Sequence, residues 1–219
     1  LINKVTPFIA GAPGGPMDIK TMQHSYGAPE WILTQGASSE LVRDLGLPSF
    51  SAAGCSDSKA LDGQSAAESM LQIFIAGATG GNLIHDVGFM DLGITGSALH
   101  MVICDELIGA TKRFLHGIDV DQEHLAEDVI VDVGPGGHYL AEEHTFEFFR
   151  DEIWSPKLFN RENYAGWQKN GSKTLEERAR DYMLHLLDTH TPEPLSDESA
   201  AKLDAILKNT EEHFETQLN

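Results

Sequence analysis

Cysteine is scarce: the 219 residues hold two, Cys55 and Cys104, and no CxxC pair. That excludes a disulfide framework and a cysteine-rich zinc site, and it fits a reducing, cytoplasmic setting. Positive charge is short as well. Fifteen Lys and Arg stand against 34 Asp and Glu, a formal net charge of −19. Such a surface repels nucleic acid and anionic lipid and attracts cationic ligands. No apolar run approaches the ~20 residues that span a bilayer, and no basic-then-apolar leader opens the chain. Neither a nucleic-acid nor a membrane partner is expected. An initiator Met is missing too. The sequence begins at Leu1 and reads as a piece of something longer.

What is present is a globular composition, with 41% hydrophobic residues and length for one large domain or two small ones. "VTPFIA" at 5–10 reads as a strand and the Gly/Pro-rich "GAPGGPMD" as a loop. Pro29 near a first turn and a stop at Gly46 predict a helix over 28–46. "PSFSAAG" at 48–54 is a second strand, followed by the polar "CSDSK". The spacing of Ala67, Met70, Leu71, Phe74 and Ala78 predicts a helix over 60–78 with that stripe buried. "NLIHDV" at 82–87 is a third strand, the loop "GFMDLGITG" follows, and a helix runs from about Ser97 to His116, ending at Gly117.

This β-α-β-α-β-α order implies a parallel sheet covered by helices, with its three strands adjacent and in sequence order. Asp121 is a helix cap before Leu125, Val129 and Ile130, and "GPGGHYL" at 134–140 reads as a turn and one more short strand. Charged amphipathic helices are predicted at 173–188 and 196–216, the latter with Ala200, Leu203, Leu207 and Phe214 on one face. A complete (β/α)₈ barrel needs about 250 residues, and only three or four units are visible. The expected fold is α/β, part of a TIM (β/α)₈ barrel over residues 1–150 with a helical extension over 151–219. An edge strand at 5–10 would pair either with missing strands or with a second copy in a homo-oligomer.

Ligands of parallel α/β folds bind at the carboxyl ends of the strands. That singles out Ser56 and Asp57 after the second strand, His85, Asp86 and Phe89 after the third, and His138 and Tyr139 in "GPGGHYL". If the strand assignments hold, these residues gather at one end of the sheet. Each also has a plain structural reading. Asp57 or Ser58 would cap the following helix, and a lone His85 on an apolar strand is often a satisfied core residue. "GAPGG" matches neither phosphate-loop pattern and is read as a tight turn. His138, Glu142, Glu143 and His144 lack the HExxH spacing of a metal site. Phe8, Phe50, Phe89 and Tyr139 fall in or just after strands, where aromatic faces suit a cation; Phe8 and Phe50 also read as core.

The segments "MDIKTMQHSYGAPE", "GLPSFSAAGCSDSKALDGQSAAES", "GGNLIHDVGFMDLGITGS", "CDELIG", "RFLHGIDVD" and "VGPGGHYLAEEHT", in that order, resemble the trimethylamine methyltransferase family. These are corrinoid-dependent amine methyltransferases, and the likeness covers about residues 5 to 180. The resemblance implies a TIM barrel of which this chain is the C-terminal half. It implies transfer of a methyl group from a methylated amine to the Co(I) of a separate corrinoid protein. No metal or cofactor would then be bound directly by the chain, the corrinoid being supplied by the partner. One branch of the family carries pyrrolysine and uses trimethylamine; its place would be the loop around "GCSDSKALD". No pyrrolysine occurs in this sequence, which favours the branch that uses quaternary amines such as glycine betaine. On this reading His85, Asp57 and His138 are the catalytic candidates, and Phe89, Tyr139, Ser56 and Asp86 the substrate-binding ones. Two other readings are a metal-dependent barrel hydrolase using His85, His138 and His144, and a non-catalytic module that binds betaine-like cations.

Overall fold

The structure is a computed structural model that describes residues 6–11 and 14–217, with side chains as far as Phe214. Val5 of the strand expected at 5–10, and Ala12 and Pro13 of the "GAPGG" loop, lie outside the described residues; residues 6–9 form no strand, and pairing begins only at Ala10. The chain is mixed α/β and divides into two compact units, Leu1–Met183 and Leu184–Asn219.

A three-stranded sheet lies at the centre of the first unit: β1 (Ala10–Gly11), β4 (Ser49–Ala52) and β5 (Leu83–His85), adjacent in that order and parallel. Two antiparallel hairpins accompany it, β2 (Met17–Asp18) with β3 (Gln23–His24) between β1 and β4 in sequence, and β6 (Phe89–Met90) with β7 (Thr95–Gly96) after β5. Three helices connect and cover the strands. They are α1 (Pro29–Asp44), α2 (Gly63–Ala78) and α3 (Ala98–His116). Pro29 at the start of α1 lacks an N–H where none is needed, and Gly117 after α3 takes φ +83°, open to glycine alone without strain. Shorter helices follow: α4 (Gln122–Leu125), α5 (Glu127–Val133), α6 (Glu143–Glu152) and α7 (Tyr164–Lys169). Two long ones close the chain, α8 (Leu175–Thr189) and α9 (Asp197–Gln217).

Several expectations need correction. The cap of α2 is Asp62, not Asp57 or Ser58: its carboxylate accepts from the backbone N–H groups of Gln64 and Ser65, and Ser65 completes a capping box. Asp121 does cap a helix, but Ala126 turns left-handed at φ 47° and splits the segment into α4 and α5. Residues 134–140 form no strand; positive φ at Gly134 and Gly136 bends the backbone into turns. The hydrophobic face of α9 stays exposed at Leu203, Leu207 and Phe214.

The buried face of α2 is also not the predicted stripe. Ser65, Ser69, Gln72, Ile73 and Ala76 are inside, while Ala67, Leu71 and Ala78 are exposed. Polar side chains occupy this seam because each finds a partner there. Ser69 Oγ lies 3.0 Å from His100 Nε2 on α3, and Cys104 Sγ points at the Gly54 carbonyl at 3.6 Å. Around them pack Ala53, Ile73, Ala76, Leu99, Ile103 and Leu107. Buried Glu106 ties the later chain to α3, accepting from the backbone N–H groups of Lys157, Leu158 and Phe159 at 2.8–3.1 Å.

His100 is fully buried, its Nδ1 has no hydrogen-bond partner among the described residues, and burial pushes its pKa below the ordinary value. Below about pH 6.5 an unfolded histidine binds a proton that the folded one refuses. This contribution is therefore present above about pH 6.5 and is lost as pH falls towards the folded pKa. Half-buried His124, whose pKa Asp121 raises, acts in the opposite sense, so the comparison must be made against a variant. Thermal unfolding should show stability falling below about pH 6.5 in the parent and falling less steeply in His100→Leu; parallel slopes would contradict the assignment.

Candidate functional site

The register of the sheet sets the site. Gly11 lies opposite Phe50, and Ala52 opposite His85. Side chains alternate across a strand, so Phe50, Ala52 and His85 share one face while Ser49 and Ser51 turn to the other and are buried. Beyond the strands the two chain ends are knitted together. Ala53 N–H donates to the His85 carbonyl, Gly88 N–H to Gly54, and Ser56 N–H to Phe89, at 2.9–3.0 Å.

Over the shared face lies a cavity of about 560 Å³, within the size range of small-molecule sites. One wall is the Phe50 ring stacked on the His85 imidazole, 4.1 Å between centroids and 14° from parallel. The other consists of His24, Tyr26 and Trp31 in edge-on and tilted contact, at 4.8 and 5.2 Å. Asp86 and the Gln35 amide complete the polar lining, and among the described residues no Lys or Arg belongs to it. Gly15 is required here: a Cβ on it would stand 2.2 Å from Trp31 Cδ1 and 2.3 Å from His24 Cε1.

Asp86 is held at φ +68°, which costs a non-glycine residue ~1–2 kcal/mol, although Asp tolerates it better than most. The bend brings its Oδ1 within 2.8 Å of His85 Nδ1. Nδ1 is the donor in that contact, and Nε2 remains as the second polar atom of the ring. Burial raises the Tyr26 phenol above its ordinary pKa, and the negative charge of Asp86 adds to this. Tyr26 therefore stays neutral, an aromatic face beside a carboxylate. The thiol of Cys55 behind this wall is pushed up to about 12 by burial and by the neighbouring carboxylates, which makes it inert as a nucleophile.

Of the residues singled out in the sequence, Phe50, His85 and Asp86 line the cavity. Ser56 and Asp57 stand behind it. Ser56 is fully buried and donates to Glu68 Oε2 at 2.7 Å; Asp57 accepts from the Ser25 hydroxyl and, at 2.9 Å, from the Tyr26 N–H. Phe89 sits on β6 with its ring partly exposed and does not reach the lining. His138 and Tyr139 are exposed in the segment between α5 and α6, and neither they nor Phe8 belongs to the cavity wall. His144 donates to the Glu123 carbonyl at 2.8 Å and packs on Phe148. His85, His138 and His144 thus form no metal cluster. Among the described residues the group with metal-ligand spacing is Asp119, His124 and Glu152, and Glu152 already pairs with Arg113 at 2.8 Å.

Sequence reasoning missed His24, Tyr26, Trp31 and Gln35. The signal was present in "QHSYGAPEW": His24 and Tyr26 alternate just before a helix start, so both project to one side of an extended segment.

Comparison with known proteins adds an independent line. The family described as "Trimethylamine methyltransferase (MTTB)" matches residues 1–214. A protein named trimethylamine methyltransferase MttB from Desulfitobacterium hafniense (strain DSM 10664 / DCB-2) is 35% identical over 214 residues, covering 98% of this chain and 43% of its own length. A glycine betaine methyltransferase from Desulfitobacterium hafniense (strain Y51) is 35% identical over 207 residues, 94% of this chain and 43% of its own length. MttB of Methanosarcina thermophila is 32% identical over 185 residues, 84% of this chain and 38% of its own length. The chain therefore spans about two fifths of these relatives and corresponds to their C-terminal part. Among the described residues, no helix is long and apolar enough to cross a membrane.

The Gly15 geometry makes a direct prediction. Gly15→Ala forces Trp31 or His24 to move and should cost about 1–3 kcal/mol, the usual penalty of overpacking, measured by denaturant unfolding. Gly46→Ala, where a Cβ meets nothing within 4 Å but φ is +69°, is the control for backbone strain without crowding. A Gly15 variant as stable as the parent would contradict the tight wall.

Proposed function

The chain belongs to the trimethylamine methyltransferase family, and from that premise we propose that it supplies the amine-binding wall of a methyltransferase. In this reading a methyl group passes from a methylated amine to the Co(I) of a separate corrinoid protein. The three parallel strands are one stretch of a TIM (β/α)₈ barrel, whose active sites lie at the carboxyl ends of the strands. The outer edges of β1 and β5 are unpaired among the described residues, as strands awaiting neighbours would be. The reaction is placed in the cytoplasm, in keeping with the two free thiols.

The observation that carries the proposal is the cavity: aromatic rings on two sides and, among the described residues of the lining, one carboxylate and no Lys or Arg. This is the chemistry that recognises an alkylated ammonium. Rings over the methyl-bearing face contribute about 0.5–2 kcal/mol each. Asp86 balances the positive charge where water is displaced.

A quaternary amine suits the site best. It is a permanent cation, and its C–N electron pair leaves with a neutral tertiary amine, so no proton has to move. The corrinoid supplies the electron pair for the new bond to the methyl carbon. The chain's own task is to hold the cation, exclude water and align one methyl outward. His85, fixed by Asp86 and stacked on Phe50, can meet a polar substituent of the amine through Nε2. The sequence without pyrrolysine, and a relative named for glycine betaine, support the quaternary branch over trimethylamine.

The full-length gene product should be assayed with a Co(I) corrinoid protein against tetramethylammonium, choline, glycine betaine and trimethylamine. Methyl transfer from at least one quaternary amine is expected. In Asp86→Asn, which keeps the left-handed backbone accessible, KM should rise about tenfold, and Phe50→Leu should weaken binding by about 0.5–2 kcal/mol. Turnover of trimethylamine alone would assign the chain to the other branch. Binding without transfer to any corrinoid would make the protein a cation-binding module.

A further inference from the structure

Asp57 and Ser56 follow β4, where barrel chemistry is expected, yet neither side chain lines the cavity. Their hydrogen bonds show what they do instead. Tyr26, a principal ring of the cavity wall, follows the β2–β3 hairpin, whose four paired residues are all exposed and add little burial of their own. The Tyr26 peptide is gripped at both ends. Its N–H donates to Asp57 Oδ1 at 2.9 Å, and its carbonyl accepts from Gln72 Nε2 at 3.0 Å. The Ser25 hydroxyl donates to the other oxygen of Asp57.

Both gripping groups are themselves fixed from α2. Gln72 is 2% exposed and also clamps Cys55, accepting from its N–H at 3.0 Å and donating to its carbonyl at 2.6 Å. Glu68, one turn earlier on the same face, accepts from the Asp57 N–H at 2.8 Å. It also fills the space beside Gly27, where a Cβ would fall 2.4 Å from its Cδ. A rigid helix thus reaches the aromatic wall through two side chains and one loop.

We propose that Asp57 and Gln72 are positioning residues: together they grip the Tyr26 peptide from both sides and set the distance between the two aromatic walls of the cavity. The proposal rests on the reading of that cavity as an ammonium site. It assigns Asp57 an acceptor's role, with no part in proton transfer or methyl transfer. An acceptor oxygen is all that the Tyr26 N–H needs, and an asparagine offers one.

The test uses full-length Asp57→Ala, Asp57→Asn and Gln72→Leu proteins and two readouts. The first is amide hydrogen exchange over residues 23–27, which does not depend on any substrate. Asp57→Ala should accelerate exchange there at least about tenfold, with α3 unchanged, and Asp57→Asn should return it to within about threefold of the parent. The second is steady-state methyl transfer from the amine that the parent uses. Asp57→Ala should raise KM about tenfold with kcat within about threefold, the signature of lost uniform binding, and Asp57→Asn should restore KM. Gln72→Leu should match Asp57→Ala in both readouts; where it does not fold, the two Asp57 variants decide. Unchanged exchange at 23–27 in Asp57→Ala would overturn the clamp. Turnover abolished equally in Asp57→Asn and Asp57→Ala, with normal exchange in Asp57→Asn, would make the carboxylate a reacting group and overturn the assignment. A parent protein that transfers no methyl group would sink the functional reading alone, because exchange still decides whether the clamp exists.

Discussion

The parallel pairing of Ser49–Ala52 with Leu83–His85 is the constraint on which the rest depends. With Ala52 opposite His85, the imidazole falls on the same face as Phe50 and stacks on it. A slip of one residue would turn His85 to the helical side and bury it among the serines of β4. The same register brings Gly54 and Gly88 together, with a backbone hydrogen bond across them. Asp86 then leaves the strand in a left-handed turn and meets His85. One ladder of backbone hydrogen bonds therefore places the stacked wall and the carboxylate at once.

The second feature is a polar seam where an apolar one was expected. The α2–α3 interface contains Ser69, His100 and Cys104, and most of their polar atoms have partners. Such groups are costly to bury unpaired, so they bind the helices in one arrangement. Gln72, buried on α2 three residues after Ser69, connects this helix to the site by holding Cys55 and Tyr26. Rigidity made in the core is passed to the cavity wall through hydrogen bonds of 2.6–3.0 Å.

Much of the central sheet was legible. Apolar runs bounded by turn residues located the strands ending at Ala52 and His85, and Pro29, Gly46 and Gly117 located helix ends. The buried face of α2 was not legible, because periodicity ranks Leu71 above Ser69 and Gln72, and only tertiary partners reverse that order. His85 and Asp86 were found from their place at a strand end. Tyr26 and Trp31 escaped because they follow a short hairpin or open a helix instead of following a strand of the parallel sheet. His138 and Tyr139 follow a glycine turn that leads to no strand, so strand-end logic did not apply to them.

The claim at the centre of this account is that an alkylated ammonium sits between the Phe50–His85 stack and the Tyr26–Trp31 wall, beside Asp86. A crystal structure of the full-length protein grown with tetramethylammonium tests it most directly. The account predicts the cation in that cavity, within cation–π range, about 6 Å, of at least two of these ring centroids. An empty cavity at saturating ligand, with the cation bound elsewhere, would contradict it.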